Sequence, residues 1–271
     1  MTPESADKLD AFFTTFAGGA TPLLLIDYDG TLAPFRVNRF EAQPWAGART
    51  LLERIQRQGR TRMAIITGRP AAEIAPLLKI DLPLEVWGLH GAERLSPDGR
   101  RELEAAAPGA QQKLEELRAF LRRDSLGGLL EDKPNAAVMH WRGVPPRKAR
   151  LIEKRTRELF EPLAQLDGLN LLEFEAGLEL RVGRDKGGAV DMILGEADPD
   201  APVAYLGDDL TDEAAFRAVK AAGSRGLSVL MRRECRETCA DIWLRPPEDL
   251  KEFLQRWLKT LENEVGVATM R

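Results

Sequence analysis

Short apolar runs alternate with helical patterns at both ends of the chain, and this alternation restricts the fold more than any other feature. The apolar runs predict buried strands at Leu23–Ile26, Met63–Ile66, Leu84–Trp87 and Val203–Leu206, and more weakly at Ser228–Met231 and Ile242–Leu244. Helical patterns occur at Gly47–Gln58, Pro70–Leu78, Lys186–Leu194, Thr211–Ala221 and Pro247–Leu261. Strands that alternate with helices predict an α/β protein whose core is a Rossmann-like, doubly wound parallel sheet.

The middle of the chain has a different pattern. A helix with Leu114, Leu117 and Leu121 on one face comes first, then a pair of strands around Leu129–Trp141, a second helix after Pro145, and two extended stretches at Asn170–Phe174 and Leu178–Val182. This αββαββ order cannot continue a parallel sheet, so we expect a small antiparallel sheet with both helices on one face. The prediction is a core of residues 1–106 and 183–271 with an inserted α+β domain at 107–182.

The composition excludes some partners. The 271 residues carry a formal net charge of −4, which provides no general attraction to nucleic acid or to an anionic membrane surface. The N-terminal stretch lacks the cationic start and apolar run of a secretion signal, and no apolar segment is long enough to span a bilayer. We therefore expect a cytoplasmic protein, in which Cys235 and Cys239 are free thiols rather than a disulfide or a metal site.

Polar residues follow the predicted strands immediately. Asp27 and Asp29 come after the first strand, Thr67 after the second, and Asp208, Asp209 and Asp212 after Val203–Leu206, while Lys186 opens a helix. Because ligands of an open parallel sheet bind at the carboxyl ends of its strands, these residues are expected to meet at one edge. Taken singly, each of these residues also fits a purely structural role. The acids could be turn or helix-capping residues, and Lys186 a solvated surface residue.

Their joint occurrence predicts phosphoryl-transfer chemistry. Carboxylates packed together need a cation among them, and an all-oxygen set without nearby Cys or His favours Mg²⁺ over zinc. A metal, a lysine and a hydroxyl together balance and hold the oxygens of a phosphoryl group. In this reading Asp27 is the nucleophile that forms an aspartyl phosphate, and Asp29 is the general acid and base.

The set Asp27-x-Asp29-Gly30-Thr31, Thr67, Lys186 and Gly207-Asp208-x-x-x-Asp212 resembles the haloacid dehalogenase (HAD) superfamily of phosphotransferases. The resemblance implies that the main-chain carbonyl of Asp29 is a metal ligand beside the carboxylates of Asp27 and Asp208. It also implies that Asp212, and with it Asp209, holds the metal or its waters. The insert has the position of a type 2 cap, which in that superfamily covers the active site and selects the substrate.

More narrowly, the chain resembles the trehalose-6-phosphate phosphatase family from about Leu23 to Phe216. The segments that carry this resemblance are Asp27–Pro34, Thr67-Gly68-Arg69, Gly88-Leu89-His90-Gly91, Gly207–Glu213, Glu131-x-Lys133, His140-x-Arg142 and Gly177–Arg181. The chain has Thr67 where the family often has Ser, and Phe35 where a smaller aliphatic residue is common. Neither departure changes the expected chemistry, because Thr67 still offers a hydroxyl and Phe35 changes only the packing.

The resemblance implies substrate contacts from Arg69, His90, Glu131, Lys133, His140, Arg142 and Glu179. Carboxylates and lysine are suited to bind sugar hydroxyls. Without the resemblance, Glu131, Lys133 and Glu179 read more simply as a surface ion-pair cluster. His90 and His140 have an alternative role as partly buried histidines bonded to the backbone, and for His140 the two roles are equally favoured. Arg69 is expected to orient loops or substrate rather than to perform chemistry.

The implied activity is Mg²⁺-dependent hydrolysis of trehalose 6-phosphate, with a trehalose-6-phosphate synthase as a pathway partner. Alternatives are a phosphatase for sucrose 6-phosphate or glucosylglycerol phosphate, and a sugar phosphomutase. A non-enzymatic phospho-acceptor module uses the same type of sheet, but Asp29 argues against it, because a general base beside the nucleophile shortens the life of an acyl phosphate.

Overall fold

The computed structural model describes residues 2–105, 107–133 and 135–268, with side chains at all of these positions except 132 and 264–268. The chain divides into two compact units. One comprises the described residues up to Glu102, Lys186–Asp208 and the residues from Asp212 onward, and the other comprises Leu103–Asp185 and Asp209–Thr211. The predicted boundaries are 106/107 and 182/183, and residue 106 lies outside the described residues. The assignment of the insert as a substrate-selecting cap stays a prediction.

The larger sheet has eight strands within the described residues. They are β1 (Leu23–Ile26), β2 (Arg62–Ile66), β3 (Glu85–Gly88), β4 (Glu93–Leu95), β5 (Arg101–Leu103), β10 (Val203–Gly207), β11 (Gly226–Met231) and β12 (Ile242–Leu244). Their order is β12-β11-β10-β1-β2-β3-β4-β5, and the pairs from β12 to β3 are parallel. Strand β1 is central, and its four residues are at most 1% exposed.

Helices cover both faces of this sheet. They are α1 (Pro3–Thr14), α2 (Ala48–Arg57), α3 (Ile74–Leu78), α6 (Lys186–Glu196), α7 (Glu213–Lys220) and α8 (Glu248–Ala268). Because side chains alternate along a strand, Leu24 and Ile26 of β1 pack in one apolar cluster with α1, α2, α3 and α8. Leu23 and Leu25 pack in the other with α6 and α7. The predicted α/β class and doubly wound sheet are confirmed.

The second unit contains a four-stranded antiparallel sheet and two helices. Its elements are α4 (Ala110–Arg123), β6 (Leu130–Lys133), β7 (Ala136–His140), α5 (Pro146–Phe160), β8 (Leu169–Phe174) and β9 (Gly177–Val182), and the strand order is β6-β7-β9-β8. Met139 and Leu180 lie in one apolar cluster with Leu117 of α4 and Ile152 of α5. Both helices therefore pack on the same face, as predicted from the αββαββ pattern.

Three elements were not predicted. Strands β4 and β5 have three residues each and carry charged side chains, so neither shows an apolar run, and the β3–β4 pair is antiparallel. Helix α1 begins after Thr2, whose hydroxyl accepts a hydrogen bond from the Ser5 amide.

Within the described residues, none of the helices combines the length and the apolar character needed to cross a membrane. Cys235 and Cys239 are free thiols.

Candidate active site

The predicted site residues of the larger unit lie at the carboxyl ends of neighbouring strands. Asp27 directly follows β1, Thr67 follows β2 and Asp208 follows β10. The Asp27 amide donates to the carbonyl of Leu206, and the Thr67 amide donates to the carbonyl of Trp87, so the ladder continues one residue past the strand ends. Their placement is the one expected for a ligand site in an open parallel sheet.

Lys186 joins two of the acids. It is the first residue of α6, and its Nζ lies 2.7 Å from Oδ1 of Asp27 and 2.7 Å from Oδ1 of Asp212. Lys186 is 3% exposed and Asp212 fully buried. Burial alone would lower the pKa of Lys186, but the charges and hydrogen bonds of Asp212 and Asp27 outweigh it and raise that pKa above its usual range. Lys186 is therefore a permanent cation.

Asp27 has an unusual acidity for a carboxyl group. Burial raises the pKa of Asp27 to about 7, against the lowering effect of Lys186 and with a further increase from the charge of Asp212. An ionised carboxylate in a dry site requires compensating positive charge, and Lys186 is shared between two acids. The electrostatics of the site therefore favour one more cation.

Three acids form a group that fits a metal ion. One oxygen from each of Asp27, Asp208 and Asp212 lies within 4.8 Å of the others, and all three residues are buried. Gly30, with φ at 85°, leaves this space open, because a Cβ there would lie 2.1 Å from Oδ2 of Asp208. Hard oxygen ligands of this kind suit Mg²⁺ or a similar divalent cation. The residues present thus fit the predicted metal.

Asp212 also organises its neighbours. Its Oδ1 accepts hydrogen bonds from Lys186 and from the hydroxyl of Tyr205 at 2.6 Å, and its Oδ2 accepts from the Asp208 amide at 2.9 Å. These bonds orient the lysine and the strand-end loop together. The half-buried side chain of Asp209 is not part of the three-acid group. Metal ligation by Asp29 was predicted through its main-chain carbonyl and stays a prediction, as does the role of Asp209.

Asp29 and Thr67 both connect to Arg69. The Thr67 hydroxyl is buried and accepts a hydrogen bond from the Arg69 amide at 3.2 Å. The Arg69 guanidinium binds both oxygens of Asp29, with Nε 2.5 Å from Oδ2 and Nη2 2.6 Å from Oδ1. The hydrogen bonds and charge of Asp29 raise the pKa of Arg69. The two motifs after β1 and β2 are therefore joined by a bidentate ion pair.

His90 lies beside the loop after β2. Its amide donates to the carbonyl of Thr67 at 2.8 Å, and its backbone is left-handed, with φ at 59°. The imidazole packs on Gly68, where a Cβ would lie 2.6 Å from Nε2. Left-handed backbone is unfavourable for a residue with a side chain and concentrates at functional sites. Substrate binding by His90 stays a prediction.

The second unit carries a polar cluster on the face of its sheet that is opposite the helices. His140 Nε2 lies 2.6 Å from Glu131 Oε2, and Lys133 Nζ lies 3.2 Å from Glu179 Oε2 and 3.9 Å from Glu131 Oε1. Glu131, Lys133 and His140 are half exposed, whereas Glu179 is buried, and Arg181 Nη1 lies 3.5 Å from its Oε1. Arg142 is exposed in the turn after β7.

Sequence reasoning missed three residues around Asp208 and Asp212. The Tyr205 hydroxyl binds Asp212, and a tyrosine inside a buried strand is itself a signal, because its hydroxyl needs a partner. Arg232 Nη1 and Arg236 Nε point to the carbonyl of Asp208 at 3.5 and 3.4 Å. These arginines follow β11 in a charged loop without a recognisable motif.

Comparisons with known proteins agree with the geometry. A family model described as trehalose-phosphatase matches residues 25–238. The trehalose-phosphate phosphatase of Mycobacterium marinum is 33% identical over 251 residues, which cover 87% of this chain and 61% of that protein. This chain thus spans about three-fifths of that relative.

Solved structures share the fold. A crystal form of Aspergillus fumigatus trehalose-6-phosphate phosphatase is similar with a TM-score of 0.70 and 25% identity, over 95% of this chain and 98% of that one. A haloacid dehalogenase-like hydrolase from B. subtilis has a TM-score of 0.61 at 17% identity, over 86% and 98% of the two chains, and supports the fold alone.

Proposed function

Since the chain belongs to the trehalose-phosphatase family, we propose that it is a phosphomonoester hydrolase that converts trehalose 6-phosphate to trehalose and phosphate. The observation that carries the proposal is the buried group of Asp27, Asp208 and Asp212, two of which, Asp27 and Asp212, bind Lys186. A nucleophilic carboxylate needs its charge balanced until it attacks, and the phosphoryl group brings further negative charge.

The first step transfers the phosphoryl group to the protein. One oxygen of Asp27 attacks phosphorus while the bond from phosphorus to the sugar oxygen breaks. The sugar oxygen keeps the electron pair of that bond and takes the proton carried by Asp29. Lys186 and the Thr67 hydroxyl bind phosphoryl oxygens. Asp27, Asp208, the Asp29 carbonyl, and Asp212 or Asp209 directly or through water would hold Mg²⁺, which would supply the remaining positive charge.

The second step regenerates the free carboxylate. Asp29, now ionised, removes a proton from water, and the water oxygen attacks phosphorus. The bond from phosphorus to the Asp27 oxygen breaks, so that its electron pair returns to the Asp27 carboxylate and inorganic phosphate leaves. One water is consumed, and the proton that Asp29 donated in the first step is restored.

The direct test is phosphate release from a panel of sugar phosphates with Mg²⁺ present. We expect the highest kcat/KM for trehalose 6-phosphate, no release after chelation, and no turnover by Asp27→Asn. A higher kcat/KM for sucrose 6-phosphate or glucosylglycerol phosphate would show that the proposed substrate is wrong. A phosphorylated sugar isomer as the product would indicate a mutase. Comparable turnover by Asp27→Asn would exclude the aspartyl mechanism.

The polar cluster of the second unit is the proposed sugar-binding surface. Glu131 and Glu179 offer acceptors and Lys133 offers a donor, which together match vicinal hydroxyls. The buried position of Glu179 argues against a cluster formed only at the surface. Arg69, His90, His140 and Arg142 were also expected to bind substrate, and for His90, His140 and Arg142 this stays a prediction.

Variants of the cluster separate sugar binding from phosphate chemistry. Lys133→Ala and Glu179→Gln should lower kcat/KM for trehalose 6-phosphate by roughly 10-fold or more, since sugar hydroxyls lose a donor or an acceptor. Hydrolysis of p-nitrophenyl phosphate, which has no sugar, should stay nearly unchanged. Glu173→Gln is the matched control, because Glu173 is on the same sheet and pairs with Arg157 of α5. Equal losses on both substrates would refute the assignment. The synthase partner and the cytoplasmic location stay predictions.

A further inference from the structure

Arg69 is held more firmly than a substrate-binding arginine needs to be. Its side chain is 7% exposed, and each of its three nitrogens has an acceptor. Nε and Nη2 bind the two oxygens of Asp29, and Nη1 donates to the carbonyl of Arg39 at 2.8 Å and lies 3.8 Å from Oε2 of Glu73. The donors of the guanidinium are therefore directed at groups of the protein itself.

The surroundings of Arg69 are equally fixed. Its Cζ lies 5.5 Å from the ring centroid of Tyr28, and Tyr28 is fully buried with its hydroxyl donating to the carbonyl of Ala42 at 2.7 Å. A guanidinium over an aromatic face adds attraction to the hydrogen bonds. Asp29, in contrast, is 26% exposed and follows Asp27 by two residues. The buried guanidinium of Arg69 thus contacts both oxygens of a partly exposed carboxylate and restricts its rotation.

We propose that Arg69 is a positioning residue for Asp29, rather than the substrate contact expected from the sequence. The inference rests on the proposed function, in which Asp29 gives its proton to the departing sugar oxygen as that oxygen leaves phosphorus. A planar two-point contact sets both the position and the rotation of a carboxyl group, which a single contact does not. Proton transfer in the transition state requires such alignment.

The test uses a series of aryl phosphates whose leaving phenols increase in pKa, with Mg²⁺ present. Poor leaving groups need the general acid and good ones do not, and kcat/KM covers only the steps up to release of the phenol. For Arg69→Met we expect a loss of about 100-fold for the poorest leaving group and a few-fold at most for the best. Arg69→Lys keeps the positive charge but cannot make the two-point contact, so it should recover only part of the kcat/KM that Arg69→Met loses. Arg54→Met removes an exposed arginine that pairs with Glu262 and should match the wild type throughout.

A double-mutant cycle separates positioning from substrate binding. In an Asp29→Ala background, Arg69→Met should cost less than about 3-fold, because a residue that acts through Asp29 has nothing left to position. A uniform loss across the series, or a full loss in the Asp29→Ala background, would overturn the inference and make Arg69 a phosphate contact. Wild-type values for every aryl phosphate would overturn it in favour of a sugar contact. Thermal unfolding shows whether each variant is folded. If Arg69→Met is not folded, the dependence of kcat/KM on the leaving group is measured with Arg69→Lys instead. A wild-type chain that releases no phosphate from any member would overturn the proposed function and this inference together.

Discussion

The ammonium of Lys186 lies 2.7 Å from Oδ1 of Asp27 and 2.7 Å from Oδ1 of Asp212, and all three side chains are buried. Asp208 is the third acid of the same group. When ionised, these three carboxylates and one ammonium carry a formal charge of −2, which a single divalent cation balances. Burial raises the pKa of Asp27, and the charge of Lys186, which is shared with Asp212, offsets that increase only in part.

Removal of the lysine should destabilise the fold. Lys186→Met leaves Asp27 and Asp212 buried without their cation, so we expect the free energy of unfolding to fall by about 3–5 kcal/mol in urea with a chelator present. Lys220→Met is the control, since Lys220 is 59% exposed and 4.0 Å from Asp241, and should cost less than about 1 kcal/mol. Similar small losses in both variants would contradict the buried ion-pair network.

The acidity of Asp27 predicts a specific pH dependence of stability in the metal-free protein. Burial raises the pKa of Asp27 from 3.8 to about 7, so the folded state binds this proton more tightly than the unfolded state. The resulting stabilisation is complete below about pH 4 and is lost as the pH rises through about 7. Asp27→Asn cannot lose it.

The measurement is the free energy of unfolding of both proteins in chelator between about pH 4 and pH 8. We expect the stability of Asp27→Asn relative to the wild type to increase over that interval. Added Mg²⁺ should restore the wild type at the alkaline end more than the variant, because only the wild type gains an ionised ligand. A difference between the two proteins that does not change with pH would contradict the raised pKa.

Gly30 is predicted to be essential for the metal site. Its φ of 85° is unfavourable for residues with a side chain, and a Cβ would lie 2.1 Å from Oδ2 of Asp208. Gly30→Ala must displace that carboxylate, so we expect weaker Mg²⁺ binding by calorimetry and a loss in kcat/KM of roughly 100-fold.

A second glycine provides the matched control. Gly195 is in α6, and a Cβ there would have no atom within 4 Å beyond its two chain neighbours and the backbone of its own helix. Gly195→Ala should keep wild-type Mg²⁺ affinity and stabilise the helix by about 0.5–1 kcal/mol. If Gly30→Ala binds Mg²⁺ as tightly as Gly195→Ala, the open space at Gly30 has no role in holding the ion.

Much of the core was predictable because its signals are local. An apolar run that is buried on both faces, such as Leu23–Ile26, predicts a parallel strand, and the polar residue after it then lies at the ligand-binding edge. Asp27, Thr67 and Asp208 lie at that edge, as predicted, and their roles in catalysis and metal binding stay predictions. Helix α8 ends at Ala268, seven residues beyond the predicted end at Leu261, because the apolar pattern fades before the helix does.

The remainder depends on contacts between distant parts of the chain. Strand β5 is exposed at all three residues and exists because it pairs with β4, which no local pattern reveals. The bidentate contact of Arg69 with Asp29 joins two loops 40 residues apart, and Arg236 reaches Asp208 from 28 residues away. Side-chain partners of this kind follow from the assembled sheet, so the sequence predicted the acids of the site but not the residues that orient them.

Trapping the phosphorylated protein tests the aspartyl-phosphate mechanism most directly. Wild-type chain is mixed with Mg²⁺ and trehalose 6-phosphate, quenched in acid within the first turnover, reduced with borohydride and mapped by mass spectrometry. We expect a phosphoryl group on Asp27, detected as homoserine at that position after reduction, and none in Asp27→Asn. Rapid turnover with no modified residue, or with the label on a different residue, would contradict it.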